Sequence, residues 1–328
     1  MQAIFSDLEC LAIIIACLSH DLDHRGTNNQ FQIRTMSPLV NLYSTSVLEH
    51  HHFDRCIMLL NTKGNDILCT LSHDEYRRAV SIMEKAILAT DLSRYFAKLP
   101  EFRQVLDDRI SAVGEETTND IVVKTMWQTE TSNRELLMSM LMTASDVSAS
   151  TKPWPVQKKS AELVANEFFE QGDLEKQKLN IKPEAVMDRD LSHQFPQMQI
   201  EFIDTICAPV YKLITRVCGR LKPLLDGCLA NRDCWDCLVR GKEIKESLMR
   251  LPASDNEDPA YRDRLVALLN PRNTAAAGSR LSPSPALDAA LRPADHPTSA
   301  SGASLSAEKF GDNNPTSEDT TVGGGGAP

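Results

Sequence analysis

Two imidazoles and two carboxylates fall within five residues, His20-Asp21-Leu22-Asp23-His24, directly after the apolar run Cys10–Leu18. Neutral imidazole and carboxylate are the ligands that borderline divalent metals such as zinc accept, and a carboxylate can bridge two metals. The apolar run reads as a buried helix that opens near Asp7 and Glu9 and stops at Gly26. On that helix His20 and His24 are i,i+4 neighbours on one face, with Asp21 beside His20. A helix end can also carry such groups merely as solvated caps. Four of them closing a buried helix favour the metal reading, because an unpartnered charge is costly away from water.

Other residues could join such chemistry. Asp146 follows the apolar stretch Leu136–Ala144, which would aim it inward; the plain alternative is a solvated acid at a helix end. His50-His51-His52 cannot all face one ion, since consecutive helical residues point in different directions. Glu49 and His52, at i,i+3, share a face and read as inner residues, whereas His50 and His51 read as surface or packing residues. His73-Asp74 repeats the His-Asp pair at a polar helix start, where capping is the expected role. Cys234 and Cys237 form a lone CxxC without a second pair, so they read as helix-face thiols rather than a zinc knuckle. Gln199 can donate and accept at once. Phe202, one turn further on, is by default a core ring.

The elements that must position these groups are helical. Residues 1–250 carry helical periodicity and no convincing period of two, with helices predicted over 5–24, 38–61, 74–97, 101–110, 131–149, 155–171, 197–219 and 231–249. Ser72-His73-Asp74-Glu75 offers an N-cap with an acidic first turn, and Pro153 and Pro155 suit the opening of a helix before Val156. Pro209 should kink its segment. Asn61–Asn65 and Gln171-Gly172-Asp173 carry turn chemistry. The fold class is all-α: a compact multi-helix domain over residues 1–251. Residues 252–328 form a tail whose Ala, Ser, Pro, Gly and Thr content predicts disorder, with one short helix conceivable at Leu265–Leu269.

Composition narrows the partners. Aromatic residues are only 5% of the chain, so Leu, Ile, Val, Ala and Met should fill the core. A net charge of −10 argues against a nucleic-acid or anionic-membrane surface, so a phosphate-bearing ligand would need local help, with bound cations the obvious source. The longest apolar run, nine residues, is far too short for a membrane span, and no signal peptide opens the chain. Nine scattered cysteines suit reduced thiols in the cytoplasm.

The His20–Asn29 string resembles the second metal motif of the class I 3′,5′-cyclic nucleotide phosphodiesterases. Further matches follow in the family's order: Leu48-Glu49-His50-His51-His52-Phe53, Ile87–Leu92, Met142–Asp146, Thr151-Lys152-Pro153-Trp154-Pro155 and Met198–Asp204. The likeness runs from about Phe5 to about Leu251 and is nearest the branch with regulatory GAF domains. It implies two divalent ions, Zn2+ and Mg2+ (or Mn2+). His20, Asp21 and Asp146 would be metal ligands, with Asp21 the bridge. His24, Glu49, Thr90 and Asp91 would orient water around the magnesium. It also implies a cyclic nucleotide substrate, with Gln199 pairing to the purine edge, Phe202 stacking under the base, and Val164 and Phe168 on the opposite wall. Gln157 and Trp235 match positions that restrain the glutamine in cGMP-directed relatives, which favours cGMP without excluding cAMP. A homodimer is compatible with the resemblance; a lipid anchor finds no support, since no prenylation box ends the chain.

One departure stands against this. The family's first motif, His-Asn-x-x-His, has no match in the sequence, and with it go a fourth zinc ligand and the histidine that protonates the leaving oxygen. Losing a general acid costs roughly 10²–10⁴ in rate. The chain then reads either as an N-terminally truncated fragment of an active enzyme or as a catalytically impaired fragment that binds partners or dimerises; a further alternative is a nucleotide phosphohydrolase of the wider HD superfamily, which needs no purine clamp.

Overall fold

The structure is a computed structural model and describes residues 4–113, 127 and 131–246. The chain divides into two units, Met1–Asn256 and Glu257–Pro328, and the described residues all belong to the first. The expected tail and its short helix lie outside the described residues. Among the described residues there is no strand, and ten α-helices are linked by short 3-10 and π turns. Numbered in chain order they are α1 Asp7–Ser19, α2 Asn29–Arg34, α3 Val47–Leu60, α4 His73–Leu88, α5 Leu92–Val113, α6 Thr131–Asp146, α7 Trp154–Leu174, α8 Phe195–Phe202, α9 Ala208–Val217 and α10 Lys222–Val239.

Helix α6 is the axis of the core. Leu136 through Met140 and Met142 through Ala144 are all buried, as befits a helix apolar on every side, and α1, α4, α5 and α9 pack around it. Methionine and aliphatic side chains supply much of this interior, as composition predicts. The few aromatics are not peripheral, however: Trp127, Trp154, Trp235, Tyr95, Tyr211 and Phe102 are all buried. A small number of large rings closes gaps that aliphatic chains leave.

Helix α1 corrects two expectations. It is not buried: Ala12, Ala16 and Ser19 are covered, while Leu11, Ile14 and Leu18 are exposed, Leu18 by 83%. The small residues form the stripe that lets α1 lie close against α4. It also ends at Ser19 rather than Gly26, with His20 as its C-cap. The helix cannot resume because Asp23 adopts φ of 61°, so His20 and His24 are not stacked one turn apart.

Four further boundaries shift. The 38–61 segment breaks after a 3-10 turn, Pro38–Asn41, because Ser46 sits in the left-handed region before α3. The 74–97 segment breaks at Ala89–Asp91, where the Asp91 carboxylate accepts the Ser93 N–H at 2.8 Å and starts α5, which then runs through Pro100. Gly172 lies inside α7 rather than in a turn. A Cβ there would come within 1.9 Å of the Met187 carbonyl, so glycine is required for close packing of the 185–187 turn. Helix α10 starts nine residues before the expected 231, with Pro223 in its first turn, and stops at a Gly241 of φ 61° that closes a Schellman arrangement through Lys242 N–H to the Cys237 carbonyl.

Other signals hold. Ser72 and Glu75 form a reciprocal capping box, as do Ser6 and Glu9. Pro153 is the N-cap of α7, and Pro155 lies in its opening turn. Ahead of Pro209 the backbone widens into a π turn, Ile203–Cys207, which carries the chain from α8 into α9. Cys234 and Cys237 lie on α10, and none of the nine cysteines is joined in a disulfide.

Candidate metal centre

Three elements deliver three donor atoms to one point. His20 caps α1, Asp21 follows it in the turn, and Asp146 is the last residue of α6. The end of α6 is fixed from beneath by buried Tyr211, whose hydroxyl donates to the Ala144 carbonyl at 2.6 Å. His20 Nε2 lies 3.2 Å from Asp21 Oδ2 and 3.3 Å from Asp146 Oδ1. All three ligand atoms lie within 4.8 Å of one another, and among the described residues no other group of His, Cys, Asp and Glu meets that condition.

The donor set fits a divalent cation. His20 Nδ1 donates to the Cys17 carbonyl at 2.9 Å, which fixes the ring and leaves Nε2 for a ligand, the arrangement that metal-binding histidines use. Hydrogen bonds to Asp146 and Asp21 push the His20 pKa up to about 11. Two carboxylates at Nε2 demand positive charge there, which a proton or a metal can supply. Asp21 is 60% exposed, so the cluster opens to solvent and to a substrate.

The neighbouring residues surround this cluster without adding a direct ligand. His52 on α3 donates Nδ1–H to the Leu22 carbonyl at 2.7 Å, and its Nε2 stands 3.9 Å from Asp21 Oδ1. Burial pushes the His52 pKa down, favouring the neutral ring. His24 stacks on His52 with centroids 5.6 Å apart, and its Nδ1 accepts the Gly26 N–H. Glu49, also on α3, accepts from Asn29 Nδ2 at 2.9 Å; burial, with Asp91 and Asp21 nearby, pushes its pKa up.

Asp91 and Thr90 have visible structural duties. Asp91 accepts from the Ser46 hydroxyl at 2.7 Å as well as from Ser93, and the Thr90 hydroxyl donates back to the Ile87 carbonyl. The histidine run separates as its spacing requires: His50 stacks on Tyr43, His51 faces Asp23 at 2.8 Å, and only His52 turns toward Asp21. Arg25 and His51 together pull the Asp23 pKa down to about 2. His73 is the first residue of α4, whose cap is Ser72.

The second set of residues lies on α7, α8 and α10. Gln199 and Phe202 are half-buried on α8, which packs against α10. On α7, Val164 is exposed and Phe168 half-buried. Gln157 on α7 is buried with its Oε1 unpartnered, and Trp235 on α10 is buried with its Nε1 unpartnered. The Trp235 ring is held edge-on by Trp154 at 4.8 Å and Phe195 at 5.4 Å.

Sequence reasoning missed Asn29 and Ser46. Asn29 holds Glu49 and also accepts the Leu48 N–H at 2.9 Å, capping α3 from another helix. Ser46 links Asp91 to Arg94 from a left-handed backbone. Neither residue type signals such work, although asparagine at position 28 is a residue type that helix N-caps favour.

A multi-helix domain with a His-Asp-Asp cluster at the ends of two helices can hold a divalent cation. The profile of the 3′5′-cyclic nucleotide phosphodiesterase family matches residues 1–228, and the chain belongs to that family. The family is metal-dependent. Over 244 residues, 74% of its length, the chain is 48% identical to the dual 3′,5′-cyclic-AMP and -GMP phosphodiesterase 11 of Drosophila melanogaster, covering 16% of that protein. It is 48% identical over the same span to the cGMP-specific 3′,5′-cyclic phosphodiesterase of Drosophila melanogaster, and 47% to that of Drosophila virilis. The chain spans between 16% and 26% of the length of these relatives. Among the described residues, no helix is long and apolar enough to cross a membrane.

Proposed function

We propose that this chain carries the catalytic domain of a cyclic nucleotide phosphodiesterase, within residues 1–251, that hydrolyses a 3′,5′-cyclic nucleotide to the 5′-monophosphate. The observation that carries the reading is the convergence of His20, Asp21 and Asp146, within 4.8 Å, in a member of this family. These three would hold a divalent metal, zinc by ligand type, and Asp21 is open enough to bridge to a second ion, magnesium or manganese. Divalent metals there would lower the pKa of a water and neutralise phosphoryl charge, which a poorly electrophilic phosphodiester needs.

The chain's own residues do the rest. His20 keeps Nε2 directed at the cluster through its bond to Cys17. Neutral His52 and the Asn29-held Glu49 orient water on the α3 side, with His24 and Asp91 behind them. Gln199 offers its amide to the purine edge, Phe202 offers its ring to the base face, and Val164 and Phe168 offer apolar surface opposite. The unpartnered Gln157 Oε1 and Trp235 Nε1 are the groups that would fix the glutamine's orientation. This favours cGMP, with cAMP accepted by a rotated amide, in keeping with relatives named for either or both nucleotides. Nine cysteines outside any disulfide suit a reducing compartment such as the cytoplasm.

The test is hydrolysis of cGMP, cAMP and GTP by the full chain with added Mn2+. Production of 5′-GMP from cGMP supports the reading. A preference for GTP would replace it with a nucleotide triphosphohydrolase.

A further inference from the structure

Helix α7 is tied to the metal-side loop by a buried amide that is bonded through both its oxygen and its nitrogen. Gln171, 2% exposed, accepts the Asn28 N–H on Oε1 at 2.8 Å. Its Nε2 donates to Asn28 Oδ1 at 3.0 Å and to Glu175 Oε1 at 2.8 Å. Glu175 is itself 2% exposed; its other oxygen lacks a hydrogen bond and stands 3.8 Å from Arg34 Nη1 at the end of α2. A buried carboxylate kept on such terms is expensive, and helix packing alone gives no reason for it.

The bonds continue toward the metal. Asn28 is the N-cap of α2, its Oδ1 accepting the Phe31 N–H at 2.8 Å. The next residue, Asn29, divides its amide between two partners on α3. Its Oδ1 takes the Leu48 N–H that Ser46, with no cap bond of its own, leaves free, and its Nδ2 donates to Glu49. The same face of α7 bears Glu167, 3.9 Å from His24 Nδ1 and in line with any Cβ at Gly26.

We infer that Glu175, Gln171, Asn28 and Asn29 form a positioning relay that sets the orientation of Glu49 beside the metal cluster from the helix bearing Gln157, Val164 and Phe168. All four are positioning residues that act through Glu49. The inference rests on the proposed metal site, because it assigns Glu49 a role there. Only an amide at 171 satisfies the arrangement, since one atom must accept from a backbone N–H while the other donates to two oxygens.

The test uses a charge exchange in the full chain, read by Mn2+ binding alone, by thermal melting and by cyclic nucleotide turnover. Gln171→Glu sets a second carboxylate against Glu175 and Asn28 Oδ1, and should weaken Mn2+ binding measurably, by at most the ~10- to 100-fold that loss of a ligand's direct supporting partner costs. Adding Glu175→Gln restores the 171–175 hydrogen bond and leaves only the Asn28 Oδ1 contact broken, so part of the Mn2+ affinity should return. Melting that falls and recovers while Mn2+ affinity never moves would make the relay structural only and overturn the inference. Should Gln171→Glu fail to fold, Asn29→Asp answers the same question: it keeps the acceptor for Leu48 but removes the donor to Glu49. It should lower kcat by about tenfold with KM and melting little changed, and an unchanged kcat would overturn the relay. If the unmodified chain binds Mn2+ but hydrolyses no cyclic nucleotide, while the exchange weakens and restores binding, the relay stands and the substrate assignment falls.

Discussion

Polar groups around His20 are matched to one another, whereas two buried polar atoms on α7 and α10 are not. At the metal side, His20 meets two carboxylates, Glu49 meets Asn29, and His52 meets a backbone carbonyl. On α7 and α10, the Gln157 oxygen and the Trp235 nitrogen are buried without partners. The first region is preorganised around a charge that must be neutralised, so its groups converge from separate elements. The second keeps unused hydrogen-bonding capacity in a dry, ring-lined setting, which suits recognition of a polar edge. Burying an unpaired polar atom costs about 1–3 kcal/mol, so such atoms persist where a ligand or a rotating neighbour makes use of them.

Substitutions in the two regions should therefore fail differently. The largest effect is expected from Asp146→Ala, which removes a donor from the cluster. Metal affinity and turnover should fall together by more than about 100-fold, the upper range for loss of a mere supporting partner. Metal analysis beside kinetics checks this, and retained metal with lost activity would move Asp146 out of the ligand set. Next comes Gln199→Ala, expected to lower kcat/KM for cGMP by about 1–3 kcal/mol of transition-state binding while metal content holds. Parallel loss of metal would erase the distinction between the regions.

Gln157→Met should have a smaller and more telling effect. It removes an oxygen that has no partner, so stability should stay within about 1 kcal/mol, while the preference between cGMP and cAMP should shift. Unchanged selectivity would show that Gln157 does not restrain Gln199. The smallest effect is electrostatic and comes from a partly exposed pair. Asp204 takes Arg232 in a bidentate pair at 2.6 and 2.7 Å, which pulls its pKa down. A lowered folded-state pKa adds stability above the unfolded carboxylate range and loses it as pH falls through the folded value. Asp204→Asn should therefore flatten the acid side of the melting curve by less than about 1 kcal/mol, since both groups are over 30% exposed. A pH profile identical to that of the unmodified chain would refute the assignment.

Residue type explains what could be read from the sequence alone. His20 and Asp21 stood out because few side chains bind metals, Asp146 joined them through the family resemblance, and the structure brings all three together. The helical class and most helices followed from period, and the N-cap at Ser72 from the polar, acidic turn that opens its helix. What escaped notice acts through backbone. The turn at Asp23 and the break at Ser46 depend on left-handed conformations in non-glycine residues, which composition does not announce. The exposure of Leu11, Ile14 and Leu18 was hidden because an apolar run does not reveal which face finds a partner. Asn29 and Gln171 gain their roles only when distant helices meet.

The most direct test of metal-dependent cyclic nucleotide hydrolysis takes the full chain loaded with Mn2+ and follows conversion of cGMP to 5′-GMP before and after chelation. Turnover that disappears with the chelator, returns with added metal, and is absent in Asp146→Ala is the expected result. Turnover that survives chelation, or persists in Asp146→Ala, would contradict the assignment of His20, Asp21 and Asp146 as the centre of the reaction.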